Sequence, residues 1–184
     1  MKYFSSAASD IQNFSKGVVV ESHDIEKRAS VTAADVFLAH SSLDKEDALP
    51  KAIGFLMRHG AKVYIDKADK ELPQKTSAET GIKLKKRIAQ CPKFIVLVTA
   101  KSKNSRWIPW ELGIADEKKK LVNVAILPDE GNQSNADWSE QEYLGLYPRI
   151  VFGAHKSFEK DIWMVLNHHD NTGTELGEWL KRPS

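Results

Sequence analysis

The chain has 184 residues, 41% of them hydrophobic and 28% charged, which suits one globular domain able to bury about 70% of its unfolded surface without a disulfide or metal staple. Lys and Arg number 27 against 25 Asp and Glu, and a net charge of +2 makes no electrostatic case for nucleic acid or an anionic membrane. A lone cysteine, Cys91, excludes an internal disulfide and a CxxC zinc or redox pair, and it fits a reducing cytoplasm.

Residues 1–32 are Ser-rich and weakly periodic, with only GVVV at 17–20 resembling a strand, and they read as an extension that packs on the domain or serves a neighbouring chain. The opening MKYFSSAASD lacks a signal-peptide core. From Asp35 the pattern sharpens. DVFLAH predicts a first strand, and Leu49, Ile53 and Leu56 then mark one face of a helix with Asp47 as N-cap, Pro50 in the first turn and Gly60 as its stop. AKVYID at 61–66 predicts a second strand. The loop DKADKELPQK follows, and Thr76 with Glu79 predicts a capping box opening a helix to Gln90, whose buried stripe is Gly81, Leu84 and Ile88.

FIVLVTA at 94–100 is continuously apolar, as a central parallel strand covered on both faces should be, and far short of the roughly 18 residues of a membrane span. A helix opening near Pro109, a fourth strand in VNVAILP, a polar loop, a fifth strand in PRIVFG and a helix through FEKDIWMVLNHH complete the pattern. Strands alternating with helices imply right-handed crossovers. The expected fold is therefore α/β: a flavodoxin-like open parallel sheet of five strands, order 2-1-3-4-5, with helices on both faces and a ligand crevice beyond the carboxyl ends of the strands. The expected location is the cytoplasm.

Those strand ends supply the candidates: His40, Ser41 and Ser42 after strand one, Asp66 and Lys67 after strand two, Thr99 to Arg106 after strand three, and Trp107 to Glu111 opening the next helix. Absence of GxGxxG after the first strand argues against a dinucleotide held in the Rossmann manner, and there is no GxxxxGK[ST] to cradle a triphosphate. With Pro109 at the first helical position, Glu111 falls in the first turn, where the helix dipole favours its ionised form while burial beside Trp107 and Trp110 opposes it. Either Glu111 stabilises a developing cation or it caps a helix whose tryptophans are core. Asp66 either caps its turn or touches ligand. His168 and His169, adjacent on the expected helix, point about 100° apart and cannot chelate one metal. Cys91 reads as a small apolar filler.

Three segments carry a resemblance. DVFLAHSSLDKED resembles the box that opens Toll/interleukin-1 receptor (TIR) domains, a short apolar strand followed by SH or SHS and an acidic helix start. KVYIDKADKELP is similar to their second strand and BB loop with its Pro, and SRWIPWELG resembles their S-x-W-x-x-x-E segment, with Trp107 and Glu111 in the W and E positions. The likeness runs in order from 35 to 153 and fits the bacterial standalone type, with residues 33–184 as the TIR-like domain. Departures are Ala39, where the family often has Ser, and a BB loop about two residues longer than the common bacterial form without its Gly.

The resemblance implies an enzyme that cleaves the nicotinamide–ribose bond of NAD⁺, a substrate rather than a cofactor, as a glycohydrolase or ADP-ribosyl cyclase in defence signalling. Glu111 would be the catalytic carboxylate, and no metal is implied. Trp107 would pack beside the nicotinamide or ribose, with Ala39, His40 and Ser41 bordering the nucleotide and Asp66 and Lys67 opening the BB loop. It also implies self-association through TIR–TIR contacts and an effector that responds to the product. Two rivals are a TIR scaffold that only recruits partners, which has no need of Glu111, and a deoxyribosyltransferase-like enzyme, which would need a second acid close to it.

Overall fold

The computed structural model describes residues 1–5, 34–44, 46–66, 77–129 and 142–183. Four strands begin the sheet in sequence order, β1 (Val36–Ala39), β2 (Val63–Tyr64), β3 (Lys93–Val98) and β4 (Val124–Pro128), separated by α1 (Ala48–Arg58), α2 (Ala78–Gln90) and α3 (Trp107–Lys118). Then come β5 (Arg149–Gly153), β6 (Ile162–Asn167), β7 (Thr172–Glu175) and α4 (Leu176–Lys181). Among the described residues the sheet has seven strands in the order β2-β1-β3-β4-β5-β6-β7, the first five parallel and the last two antiparallel. The expected 2-1-3-4-5 order is thus present, extended by a hairpin.

Strand alternation divides the core. Val36, Leu38, Ile95, Leu97, Ala125 and Leu127 face Leu49, Ile53 and Leu56 of α1 and Trp179 of α4. Phe37, Ala39, Phe94, Val96 and Ile126 face Leu84 and Ile88 of α2 and Ile108 and Leu112 of α3. Burial on both faces is why these strands read as continuous apolar runs. Cys91 is a buried member of the second layer, and burial pushes its thiol up to about 11.

Segment 158–169 departs from expectation: the helix is absent and Ile162–Asn167 is strand β6, paired antiparallel with all five residues of β5. IWMVLN is too short for periodicity to separate helix from buried strand. Pairing decides it, because Val165 and Trp163 pack into the α1 layer while Met164 and Leu166 pack on the other face with Val151. His168 and His169 therefore sit in the β6–β7 turn, where Asn171 takes a positive φ of 52° that Asn tolerates better than most residues.

Smaller differences lie at the element ends. The second strand spans two residues, not six, and the N-cap of α2 is Ser77, whose hydroxyl and that of Thr80 form the capping box; Thr76 lies outside the described residues. Asp47 occupies the N-cap position of α1 without a side-chain capping bond, and Gly60 ends that helix at φ 94°. At the chain start, Lys2 exchanges backbone hydrogen bonds with Phe152 (2.7 and 2.8 Å) and Phe4 bridges Asp129, so these residues lie between the diverging ends of β4 and β5 with Phe4 buried against Phe55. GVVV and the rest of 6–33 lie outside the described residues. No helix among the described residues is long and apolar enough to cross a membrane.

Candidate active site

The carboxyl ends of β1 and β2, the turn after β3 and the start of α3 surround a cavity of about 330 Å³. His40, Ser41, Asp66, Trp107 and Glu111 line it together, as do Ser42, Ser105 and Arg106. Ala39 is one position below the rim, buried in the layer that faces α2 and α3. Lys67 and the loop to Thr76 lie outside the described residues.

Two short 3₁₀ turns, 42–44 and 100–104, add Ser42, Leu43 and Asn104 to the lining. After β1, Asp44 N–H donates to the Ser41 carbonyl (3.0 Å) and Leu43 N–H to Ser41 Oγ (3.3 Å), which fixes the His40–Ser41 corner. After β3, Thr99 caps the turn 100–104 by accepting from Lys101 N–H (3.1 Å), while its own N–H donates to Ser102 Oγ (3.0 Å). Thr99 Oγ1 then donates to Asp44 Oδ1 at 2.9 Å and joins the two turns. Asp44 is buried, and burial raises its carboxyl pKa against the pull of Thr99, Lys101 and His40. Sequence reasoning missed Asp44, because nothing in a polar SSLDKED run marks which acid turns inward.

Helix α3 begins at Trp107, two residues before the expected start, so Pro109 is its third residue and Glu111 its fifth. Pro109 costs little there, since none of the first four N–H groups has a partner within the helix. Ser105 Oγ takes one of them, that of Ile108, at 3.2 Å. Glu111 consequently lies beyond the turn where the dipole acts most strongly. Its side chain points inward, only 4% exposed, and its pKa is raised well above the ordinary carboxylate value, first by burial and then by the charge of Asp66. Burial outweighs the dipole, the reverse of the balance that a first-turn position would favour.

Across the cavity the His40 ring is anchored through Nδ1. Nδ1 lies 3.1 Å from the Leu38 carbonyl, which can only accept, so Nδ1 carries its hydrogen and Nε2 is turned to Asp66 Oδ1 at 3.7 Å. This pair attracts fully only as imidazolium and carboxylate. The site thus groups two carboxylates and one imidazole that are remote in sequence. Among the described residues no cluster of three His, Cys, Asp or Glu is placed to hold a metal ion.

Trp107 forms the outer wall and is 36% exposed. Its ring meets Trp110 edge to face, with centroids 5.2 Å apart at 85°, and Trp110 leans on α2, where a Cβ at Gly81 would lie 3.6 Å from the indole. Trp110 is thus a prop and Trp107 the ring presented to the cavity. Trp107→Ala should lower kcat/KM roughly fivefold by removing an aromatic contact worth about 1 kcal/mol, with Trp107→Phe recovering part of it. Unchanged activity with a lower melting temperature would make the ring packing alone.

Residues 37–133, which contain the whole cavity, match the family described as Thoeris protein ThsB, TIR-like domain. Among curated proteins, the chain is 37% identical over 133 residues to the Bacillus cereus (strain MSX-D12) protein named "Probable 3' cyclic ADP-D-ribose synthase ThsB'", over 71% of this chain and 67% of the relative. The family match covers the box after β1, the acid after β2 and the Trp107–Glu111 helix start, and the chain belongs to the ThsB TIR-like domain family.

Proposed function

We propose that the protein cleaves the nicotinamide–ribose bond of NAD⁺ at Glu111 and closes the ADP-ribose product into a ring, as a signal read by an effector in bacterial defence. The observation that carries this reading is Glu111, buried in a cavity at the carboxyl end of a parallel sheet between Asp66 and Trp107. The 37% identical relative named as a 3' cyclic ADP-D-ribose synthase supports the product class.

The chemistry needs little from an acid catalyst. Nicotinamide leaves as a neutral molecule from a ring that is already cationic, so the leaving-group protonation of ordinary glycosidases is not required. What must be stabilised is an oxocarbenium-like ribose, and a fixed carboxylate in a dry site does this strongly. Arrival of the pyridinium cation favours the ionised form of Glu111, offsetting the burial that otherwise opposes it. The C–N bond breaks, a hydroxyl of the same molecule attacks the anomeric carbon, and one proton is released. Asp66, the second carboxylate lining the cavity, would accept it. Attack by water instead gives linear ADP-ribose.

A cavity of about 330 Å³ is at the small end of ligand sites and suits the nicotinamide riboside half of the dinucleotide. The adenylate half then extends past its mouth, where a second copy would complete the site. Specific activity should therefore rise faster than linearly with protein concentration. A flat value across a hundredfold range, with a monomer throughout by light scattering, would refute the dependence on assembly.

Incubating the purified chain with NAD⁺ and resolving the products by mass tests the reaction. The expected product is nicotinamide with a compound lighter than ADP-ribose by one water; intact NAD⁺ at high protein concentration would overturn the reading in favour of a scaffold. Asp66 also supplies the second acid that a deoxyribosyltransferase-like exchange would need, and a deoxynucleoside offered with a free base tests that alternative in the same assay.

A further inference from the structure

At the opposite end of the sheet, where β3, β4 and β5 begin, lies a larger cavity of about 490 Å³. Lys93, the first residue of β3, lines it and is only 1% exposed. Its ammonium donates to Asn123 Oδ1 and lies 4.9 Å from the centre of the Trp179 ring, which is itself fixed by a 2.7 Å bond from its Nε1–H to the Val122 carbonyl. Both partners of the ammonium are neutral. Among the described residues no carboxylate pairs with Lys93, and the nearby charges are of its own sign: after burial, Arg182 and then Lys119 hold its pKa down to about 8.

The rest of the lining points the same way. Lys120 and Arg182 stand on the cavity wall, and Arg182 is steadied by Thr174 Oγ1 at 3.3 Å and by Glu178 at 3.8 Å. The acid of the lining, Asp170, is turned into its own turn, accepting from Thr172 N–H (3.0 Å) and Oγ1 (2.6 Å), and it does not figure among the charges acting on Lys93. Leu121 and Val122 supply an exposed apolar wall beside these cations.

We propose that this second cavity binds a small phosphorylated molecule, its phosphate held by Lys93, Lys120 and Arg182 and its body laid against Leu121 and Val122. Among the described residues the buried ammonium of Lys93 has no counter-ion, and it shares its cavity with Lys120 and with Arg182, whose only carboxylate there is Glu178 at 3.8 Å; a group carrying more than one negative charge answers this lining better than a carboxylate does. The guanidinium fork of Arg182 suits phosphate oxygens in particular. The site is separate from the Glu111 cavity, and the proposal holds whether or not the chain cleaves NAD⁺.

Calorimetric titration of the full chain with inorganic phosphate and with adenosine monophosphate tests this. Both ligands should bind and raise the melting temperature. Arg182→Glu, on an exposed side chain, should weaken both by about tenfold or more through loss of a charge-assisted contact, and Lys93→Met should abolish binding where that variant folds. Tighter binding of the nucleotide identifies an organic phosphate as the occupant; equal affinity identifies free phosphate. No heat and no thermal shift up to about 10 mM of either ligand, undiminished binding in Arg182→Glu, or nucleotide binding lost only in Trp107→Ala would each overturn the proposal.

Discussion

Glu111→Gln is expected to give a protein that no longer cleaves NAD⁺ and is more stable than its parent. The amide is nearly isosteric, so packing around a side chain that is 4% exposed is kept, but it cannot offset a cationic transition state. Loss of one such preorganised electrostatic group typically costs on the order of 10² to 10³ in kcat. The stability change has the opposite sign. Burial and the Asp66 charge penalise the carboxylate in the folded protein but not in the unfolded chain. Gln removes that penalty, so the melting temperature of the variant should lie above that of the parent. Near wild-type turnover in a folded variant would sink the assignment of Glu111. A variant that is inactive and melts lower would point instead to a structural role in the α3 start.

That opposition explains which features were legible in the sequence. FIVLVTA, VNVAILP and DVFLAH lie in strands buried on both faces, and such strands announce themselves as apolar runs whatever surrounds them. Residues at their carboxyl ends then follow from topology, which is how His40, Ser41, Asp66, Trp107 and Glu111 come to line one cavity. The IWMVLN segment was not legible. Its apolar residues fit either periodicity, and only the five-residue register with β5 and the turn at Asn171 decide for a strand.

The ionisation of Glu111 was equally hidden, for a different reason. A shift of the helix start by two residues moves the carboxylate from the first turn to the second, and boundaries are the weakest part of any reading from local pattern. Burial is a property of the assembled sheet and of α2 behind Trp110, not of the WIPWELG segment. The Asp44–Thr99 bond is of the same kind, linking two turns 55 residues apart through side chains that are individually unremarkable in sequence.

The pH dependence should therefore show activity and stability moving in opposite directions over one window. On the proposed mechanism the free enzyme is competent only with Glu111 ionised, so kcat/KM should rise about tenfold per pH unit up to the raised pKa of Glu111 and level off above it. Between the ordinary carboxylate range and that raised pKa, folded Glu111 holds a proton that the unfolded chain has lost. The unfolding free energy accordingly falls with pH there, by at most about 1.4 kcal/mol per unit, and is flat above. In Glu111→Gln this slope should be absent. Asp66→Asn removes the second cause of the shift while leaving burial, the first, in place, so the acidic limb of kcat/KM should move to lower pH without reaching the position of an ordinary glutamate. Substrate adds a positive ring to the same cavity, which places the acidic limb of kcat below that of kcat/KM. A kcat/KM profile that is flat from pH 5 upward, or one that Asp66→Asn leaves in place, would show that Glu111 is already ionised in the free protein and that its burial does not govern the reaction.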